Sequence, residues 1–283
     1  MSPRRTGVRT LDSRDLAAVK ELLARDPVSS VFVAARVQAY GVESWRLGSP
    51  MLGYFRSGEL ISVCHQGANL VPVEADEEAI DGFVRALTGV RRCSSIVGPV
   101  DEALALWDGL SDYWGEPWSA IRELRPSQPM MAISGPPALD ACAGVQRIEM
   151  CHADAYFDAA VKMYTEEVGV SPIIGGDPGP YRNYVHQVID TGRAFGVIED
   201  GRVVYKSDIG SAAQGVGQIQ GVWLDPAYRG QGLAAPAMAG VVRLAQEEFR
   251  TVSLYVNSFN EPARATYRRV GFEEVGEFAT VLY

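Results

Sequence analysis

The chain has 283 residues, of which 47% are hydrophobic and 22% charged, a composition that is ordinary for a soluble globular protein and disfavours disorder. Its length exceeds the usual size of one domain, about 100 to 200 residues, and so favours two. The net charge of −9 disfavours a nucleic-acid partner, because phosphate binding calls for a basic surface; it is compatible with an amine substrate and also keeps a protein soluble.

The N-terminal sequence MSPRRTGVRTLDSRD is basic but is not followed by the apolar segment of a signal peptide. No apolar run approaches the roughly 20 residues that a membrane-spanning helix needs. We therefore expect a cytoplasmic protein without a membrane partner.

The first half of the chain predicts a short strand and an amphipathic helix from Val8, followed by a hairpin from Leu52 to Ser62 around the turn residues SG. The segment NLVPVEADEEAIDGFVRAL then predicts a strand and a helix. Asp76, Glu77 and Glu78 stand where this helix begins, and their charges would occupy or repel an anion site at its positive end.

The second half repeats this order of elements. A strand and helix are predicted from Val145, a hairpin from Phe195 to Tyr205 around DG, and then a further strand and helix. The parallel favours an internal duplication. Because Pro, Gly and Ala cluster from Ser134 to Gly144, we expect two domains, residues 1–140 and 145–283.

The cysteines show no spacing that is typical of a metal site, and the chain has only three histidines. We expect no metal and interpret the cysteines as free thiols of a reducing compartment, although sequence alone leaves a disulfide open. The residues are Cys64, Cys93, Cys142 and Cys151.

The segment LDPAYRGQGLAA predicts a glycine-rich turn between a strand, Gln218 to Leu224, and a helix from Leu233 to about Phe249. Glycine lets a backbone turn closely and approach a ligand where a Cβ would clash. Successive backbone N–H groups in the loop from Asp225 to Gly232 would form an anion-binding nest beside the helix start. If one half of the chain binds a phosphorylated ligand, we expect it to be the second.

The last 33 residues predict a strand from Thr251 to Asn257, a helix from Glu261 to Val270 and a strand from Phe272 to Leu282. Asn260 is a favourable N-cap of this helix. Asn260, Ala263 and Tyr267 share one helix face, so that the small residue leaves room for a thin ligand between an amide and a phenol.

These two blocks resemble the signature of the GNAT superfamily, the acetyl-CoA-dependent N-acetyltransferases. The first block is matched by Arg229, Gly232 and Ala234, and the second by Asn260, Ala263, Tyr267, Gly271 and Phe272. The resemblance covers about Val145 to Tyr283. It implies an α+β protein of two tandem GNAT-like domains, each a mixed, mostly antiparallel sheet flanked by helices, with a degenerate N-terminal copy.

The resemblance also implies a role for each matched position. Backbone amides of the loop would hold the coenzyme pyrophosphate; these belong to Arg229, Gly230, Gln231, Gly232, Leu233 and Ala234. The amide of Val222 would polarise the thioester carbonyl, and Leu224 would contact the pantetheine arm. Tyr267 would protonate the leaving thiolate, Asn260 would hydrogen-bond the pantetheine, and Ala263 would leave space for it. Trp223 faces the other way and is predicted to lie in the core.

A general base is not identified by the sequence. The position where some family members carry a strand glutamate is Gln218, and Gln220 follows on the same face; neither accepts a proton at neutral pH. Glu166, Glu167, Asp208, the terminal carboxylate of Tyr283 and a water chain remain open.

The resemblance implies transfer of acetyl directly to a primary amine of a protein lysine, an N-terminus or a small molecule; oligomeric state is not readable. One alternative is a non-catalytic, acetyl-CoA-binding regulatory module, favoured by the missing strand carboxylate and opposed by Tyr267. A dinucleotide-binding enzyme fits less well, because DPAYR separates the strand from GQGLAA.

Overall fold

The protein is described by a computed structural model that covers residues 6–283. Its helices are α1 (Leu16–Leu23), α2 (Val31–Tyr40), α3 (Ser44–Leu47), α4 (Glu77–Ala86), α5 (Val100–Trp114), α6 (Glu116–Ser119), α7 (Ala153–Val168), α8 (Gly179–Asp190), α9 (Ala234–Ala245) and α10 (Glu261–Val270). Its strands are β1 (Gly7–Thr10), β2 (Met51–Arg56), β3 (Glu59–Gln66), β4 (Asn69–Val73), β5 (Ser95–Pro99), β6 (Glu123–Ile133), β7 (Val145–Arg147), β8 (Ala194–Glu199), β9 (Arg202–Ala213), β10 (Val216–Leu224), β11 (Thr251–Tyr255) and β12 (Glu273–Leu282).

Both predicted hairpins are confirmed. Ser57 and Gly58 join β2 to β3 with φ of 51° and 84°, and Asp200 and Gly201 join β8 to β9 with φ of 49° and 73°. Two successive left-handed residues are what a two-residue hairpin turn needs to match the twist of its strands. The dipeptides SG and DG therefore fix the position of each turn.

The described chain divides into two compact units, of which the first is formed by residues 6–130, 255–259 and 274–283. Its strands follow the order β1-β2-β3-β4-β5-β12-β6, with β4 and β5 parallel and β12 antiparallel to β5. Helices α4 and α5 cover an apolar core that includes Tyr54, Phe83, Ile96 and Leu106.

The second unit is formed by residues 131–254 and 260–273. Its strands follow the order β11-β10-β9-β8-β7, antiparallel except for the parallel pair β10 and β11. Tyr156 and Phe157 of α7 pack with Trp223 in its apolar core, which confirms the predicted burial of Trp223.

Compactness thus groups residues 255–259 and 274–283 with the N-terminal part of the chain, because β12 pairs with β5. The limits 1–140 and 145–283 stay a prediction.

Helix α9 ends at Ala245, four residues before the predicted end, because the chain tightens into a final turn in which Glu247 N donates to Leu244 O. Among residues 6–283, no helix is long and apolar enough to cross a membrane.

Candidate active site

Strand β10 contains a bulge at the position where the catalytic amide was expected. Gln220 lies opposite Asp208 and Trp223 opposite Lys206, so that Gly221 and Val222 together face the single residue Ser207. Gly221 has a φ of +58°, which an L side chain rarely adopts. A bulge re-aims the backbone of its strand, and Val222 is one of the two bulged residues here.

The edge of β10 that faces β11 is open beyond the first three residues. The two strands pair in parallel over Val216–Gln218 and Thr251–Ser253, and in the described chain the pairing stops before Ile219. The backbone from Ile219 to Leu224 therefore has one edge that is not used by β11. Such an edge can accept an extended, amide-bearing chain as an additional strand.

The glycine loop, Asp225–Leu233, leads from this strand into α9. Gly230 and Gly232 have φ of +76° and +82°, and Leu233 returns to a helical conformation. A left-handed residue followed by a right-handed one directs consecutive N–H groups into one concavity. No side chain caps α9 and its first turn holds no acidic residue, so these amides are available to an anion.

Arg229 of the glycine loop is held by α7 and by the end of β10. Its guanidinium forms a salt bridge of 2.8 Å with Glu166, and its Nε donates to Leu224 O at 3.0 Å. Trp223 Nε1 also donates to Glu166, at 3.2 Å. The hydrogen bond from Arg229 is the largest cause of the lowered pKa of Glu166.

Tyr267 lies on α10 with its ring against Phe272, at 5.9 Å between ring centres. The residue is 6% exposed, and burial raises the pKa of its phenol well above the ordinary value. Within residues 6–283 the hydroxyl has no hydrogen-bond partner. A protonated phenol without a protein partner is suited to donate a proton to a leaving group.

The side chain of Asn260 forms its hydrogen bond within its own helix, to the backbone of Ala263. The side-chain oxygen of Asn260 accepts from Ala263 N at 3.2 Å and so caps α10. The cap leaves the exposed amide NH₂ of Asn260 for a ligand. The sequence-predicted site residues, from Val222 through the glycine loop to Tyr267, all belong to the second unit.

Below the bulge lies a buried polar group that sequence reasoning did not place, which we call the lysine network. Lys206, fully buried, donates to Gly221 O at 2.8 Å and to Asp208 at 3.0 Å. Tyr156 donates to the same carboxylate and, at 2.9 Å, to Ser207 O. The sequence signal was the pair of charges in the apolar strand VVYKSDIGS, two residues apart and thus on one face.

The candidate bases differ sharply in their surroundings. Glu166 is paired with Arg229, and Asp208 is buried against Lys206, so neither carboxylate is free to take a proton from a substrate. Tyr283 lies in the first unit, where its N–H donates to Ser94 O. Glu167 has a partner of its own.

The remaining polar groups beside the bulge are neutral. Gln220 Nε2 donates to the hydroxyl of Tyr184 at 2.6 Å, and Tyr184 stacks on Tyr181 at 6.0 Å. Burial raises the pKa of both phenols above the range in which they would ionise near neutral pH. These neutral side chains can orient an acceptor amine by hydrogen bonds, but they cannot balance its positive charge.

In the first unit, the turn that corresponds to the glycine loop has carboxylates that accept hydrogen bonds from its backbone N–H groups. Asp76 accepts from Ala79 N at 3.0 Å at the start of α4, and Glu102 accepts from Ala75 N at 3.0 Å. Arg56 pairs with Asp76 and Glu78. Two backbone N–H groups at the start of α4 are therefore already satisfied, whereas no side chain caps the start of α9.

Comparisons with known proteins match two parts of the chain to two different family models. A family model described as "Acetyltransferase (GNAT) family" matches residues 175–272, and one described as "Domain of unknown function (DUF4081)" matches residues 49–156. A mycothiol acetyltransferase of Saccharomonospora viridis is 44% identical over 61 residues. That match spans 21% of this chain and 20% of the relative's length.

Solved structures share the whole fold. A GCN5-related N-acetyltransferase from Sphaerobacter thermophilus is 18% identical with a TM-score of 0.58, and 99% of this chain and 96% of that one are covered. A tandem GNAT protein from the clavulanic acid biosynthesis pathway is 12% identical with a TM-score of 0.51, and 98% of each chain is covered.

The bulged strand with an open edge and the glycine turn into an uncapped helix are the two local features of the second unit that the GNAT resemblance leads one to expect. Residues 175–272, which contain β10, the glycine loop and Tyr267, are the part of the chain that matches the GNAT family model. The predicted fold of tandem, mostly antiparallel GNAT-like domains is confirmed by the strand orders and by the tandem GNAT structure.

Proposed function

We propose that this protein is an acetyl-CoA-dependent N-acetyltransferase that transfers acetyl directly to a primary amine. The observation that carries the proposal is that one unit contains an open strand edge, a β-bulge at Gly221 and Val222, and a buried phenol without a described hydrogen-bond partner. Acetyl-CoA supplies the activated acyl group as a thioester.

The glycine loop and β10 would hold this coenzyme. The amides from Gly230 to Ala234 suit its pyrophosphate, because they lie at the positive end of α9, where no side chain caps the helix and its first turn holds no carboxylate. The Arg229 N–H, predicted for the same role, already donates to Pro226 O at 3.3 Å. The open edge up to Leu224 suits the amides of the pantetheine arm, and the NH₂ of Asn260 is available to the same arm. No metal is part of this mechanism.

The chemistry would be divided between Val222 and Tyr267. The Val222 N–H donates to the thioester oxygen, on which negative charge develops during attack by the amine. Tyr267 protonates the thiolate that leaves. Because the carboxylates beside the bulge are paired, the amine enters in its neutral form or loses its proton to water, with Gln220 and Tyr184 orienting it.

The acceptor is a protein lysine, an N-terminus or a small-molecule amine. The curated relative is named for the small molecule mycothiol, so small amines come first in an acceptor screen. The four free cysteines favour a reducing compartment, and we place the reaction in the cytoplasm.

A non-catalytic acetyl-CoA-binding module is the second candidate. It is favoured by Gln218 and Gln220, which stand where a strand carboxylate would act, and by the pairing of Glu166 and Asp208. Binding without turnover over the whole amine screen would select this candidate.

Calorimetric titration with acetyl-CoA tests the coenzyme site. We expect one site in the unchanged protein and none in Gly232→Glu, because the new carboxylate would stand where the pyrophosphate binds. Gly201→Glu is the matched control, since Gly201 is also left-handed and a Cβ there, as at Gly232, would meet no described atom within 4 Å. Unchanged binding by Gly232→Glu would overturn the assignment of the loop.

A further inference from the structure

A cavity in the first unit is lined only by residues that have no proposed part in acetyl transfer. It has a volume of about 710 Å³ and lies between α2, the start of β2, the junction of β3 and β4, and the end of α4. It opens at the N-terminal end of β4, opposite the turn that Asp76 and Glu102 fill. We call it the arginine cavity.

Arg36 of α2 is the partly buried cation of this cavity, whose lining also includes the exposed Arg92. Its guanidinium lies over the ring of Phe32, with Cζ 3.4 Å from the ring centre, and it donates to Phe32 O at 3.1 Å. Burial lowers its pKa, and no described carboxylate forms an ion pair with it. A partly desolvated guanidinium without a counter-ion is uncommon, because buried charges are normally paired.

His65 of β3 is a second unsatisfied group in the wall. The residue is 3% exposed, and its Nδ1 is buried without a hydrogen-bond partner among the described residues. Burial, followed by the charge of Arg36, lowers the pKa of His65 to about 4, so the imidazole is neutral near pH 7. A neutral imidazole beside the guanidinium supplies hydrogen-bonding capacity without adding charge.

The rest of the wall is mainly apolar and of a size that suits a small molecule. Leu52, Leu70, Leu87, Val90 and Trp118 line it. Ligand sites commonly have volumes of about 300 to 1,000 Å³, apolar walls and a few placed polar groups. The cavity has this composition, and Arg36 sets the sign of the charge that it can accept.

We propose that the arginine cavity is a binding site for a small organic carboxylate, whose carboxylate pairs with Arg36 and whose apolar body packs against the leucines and Trp118. The guanidinium offers parallel N–H donors that match a carboxylate. A neighbouring cavity of the first unit, lined by Asp26, Glu74, Glu102 and Glu277, has the opposite charge and would reject such a ligand. The proposal does not depend on acetyl transfer.

Saturation-transfer NMR on the full chain tests this site, with benzoate and the matched neutral probe benzamide. Saturating acetyl-CoA is present, so that an anion cannot bind in the coenzyme cleft. We expect binding of benzoate but not of benzamide, and a loss of at least about tenfold in benzoate affinity in Arg36→Gln, as for one charged hydrogen-bonded pair. Equal signals from both probes would overturn the proposal.

Arg46→Gln is the matched control. Arg46 also lies near an aromatic ring, with Cζ 5.7 Å from the centre of Trp45, but it is exposed and does not line the cavity. We expect benzoate affinity to be unchanged in this variant. A similar loss in both variants would show a general effect of charge and would contradict a specific site.

Photo-labelling of the unchanged protein with 4-benzoylbenzoate decides the question even if Arg36→Gln does not fold. We expect adducts in residues 30–41 or 86–94, which excess benzoate suppresses. Adducts confined to other segments, or adducts that benzoate does not suppress, would overturn the assignment.

Discussion

The ammonium of Lys206 lies 2.8 Å from the carbonyl oxygen of Gly221, and its other partner is the buried carboxylate of Asp208. The buried pair of Lys206 and Asp208 thus contacts the bulge of β10 at Gly221, the residue before Val222. In the proposed mechanism the direction of the Val222 amide would depend on this contact from the neighbouring strand. We therefore propose Lys206 as a positioning residue.

Removing both charges tests this role. Lys206→Met alone would leave Asp208 buried and unpaired, at a cost of about 3 to 5 kcal/mol, so the double variant Lys206→Met/Asp208→Asn is preferable. We expect it to fold but to lose the preference for acetyl-CoA over free CoA by about three- to tenfold, the worth of one hydrogen bond to the thioester oxygen. Calorimetry with both ligands measures the preference.

Lys162→Met/Asp158→Asn is the control, because both residues are exposed on α7. A preference retained in the Lys206/Asp208 variant would show that the bulge keeps its form without the network. Lys206 would then be structural only.

The sequence predicted local features of this site well, because each depends on a residue type at one position. Asn260 caps α10 and Gly232 takes a left-handed conformation as expected from their local chemistry. The bulge at Gly221 and the Lys206 contact were not predicted, because they depend on the register between two strands. The pairing of β12 with β5 likewise joins segments that are far apart in the chain.

Tyr267→Phe should lower kcat by about 10²- to 10⁴-fold, the usual contribution of a general acid, and leave the Kd for acetyl-CoA within about twofold. The ring keeps its contact with Phe272, so that only the hydroxyl is removed. Steady-state kinetics with an amine from the acceptor screen, together with calorimetry, separate the two effects. Tyr113→Phe, which removes the hydroxyl of an exposed tyrosine on α5 of the first unit, is the control. Unchanged kcat in Tyr267→Phe would remove this residue from the mechanism.

Glu166→Gln should tighten coenzyme binding rather than abolish turnover. In the described structure Glu166 holds the guanidinium of Arg229, and an amide would release it toward a phosphate at the glycine loop. We expect a lower Kd for CoA, with a steeper dependence on salt, and an unchanged kcat. If Glu166 is instead the general base, kcat falls and the Kd stays the same.

The salt bridge between Glu166 and Arg229 predicts that the stability of the folded protein depends weakly on pH in the acid range. The pKa of Glu166 is lowered in the folded state, so its contribution to stability is present above the ordinary carboxyl range and is lost as the pH falls through the lowered value. Both side chains are about half exposed, and solvent screening keeps this contribution small.

Glu102 of the first unit should make the folded protein less stable as the pH rises, the opposite of the effect of Glu166. Burial raises its pKa from 4.5 to about 7, while the hydrogen bond from Ala75 N opposes the rise. Between these two values the folded state retains a proton that the unfolded state has released, so the free energy of unfolding falls as the pH rises. The loss amounts to at most about 3 kcal/mol across this window.

Glu102→Gln keeps an oxygen that can accept from Ala75 N and removes the ionisable group. Urea unfolding at pH 5 and pH 8 should show the decline in the unchanged protein and its absence in Glu102→Gln, which is then the more stable at pH 8. Asp101→Asn, an exposed neighbour on α5, should behave like the unchanged protein. The carboxylate of Glu102 accepts from a backbone N–H in the turn before α4, whereas no side chain caps α9 in the second unit. If the free energy of unfolding fell equally with pH in Glu102→Gln and in the unchanged protein, this turn would be held by other contacts.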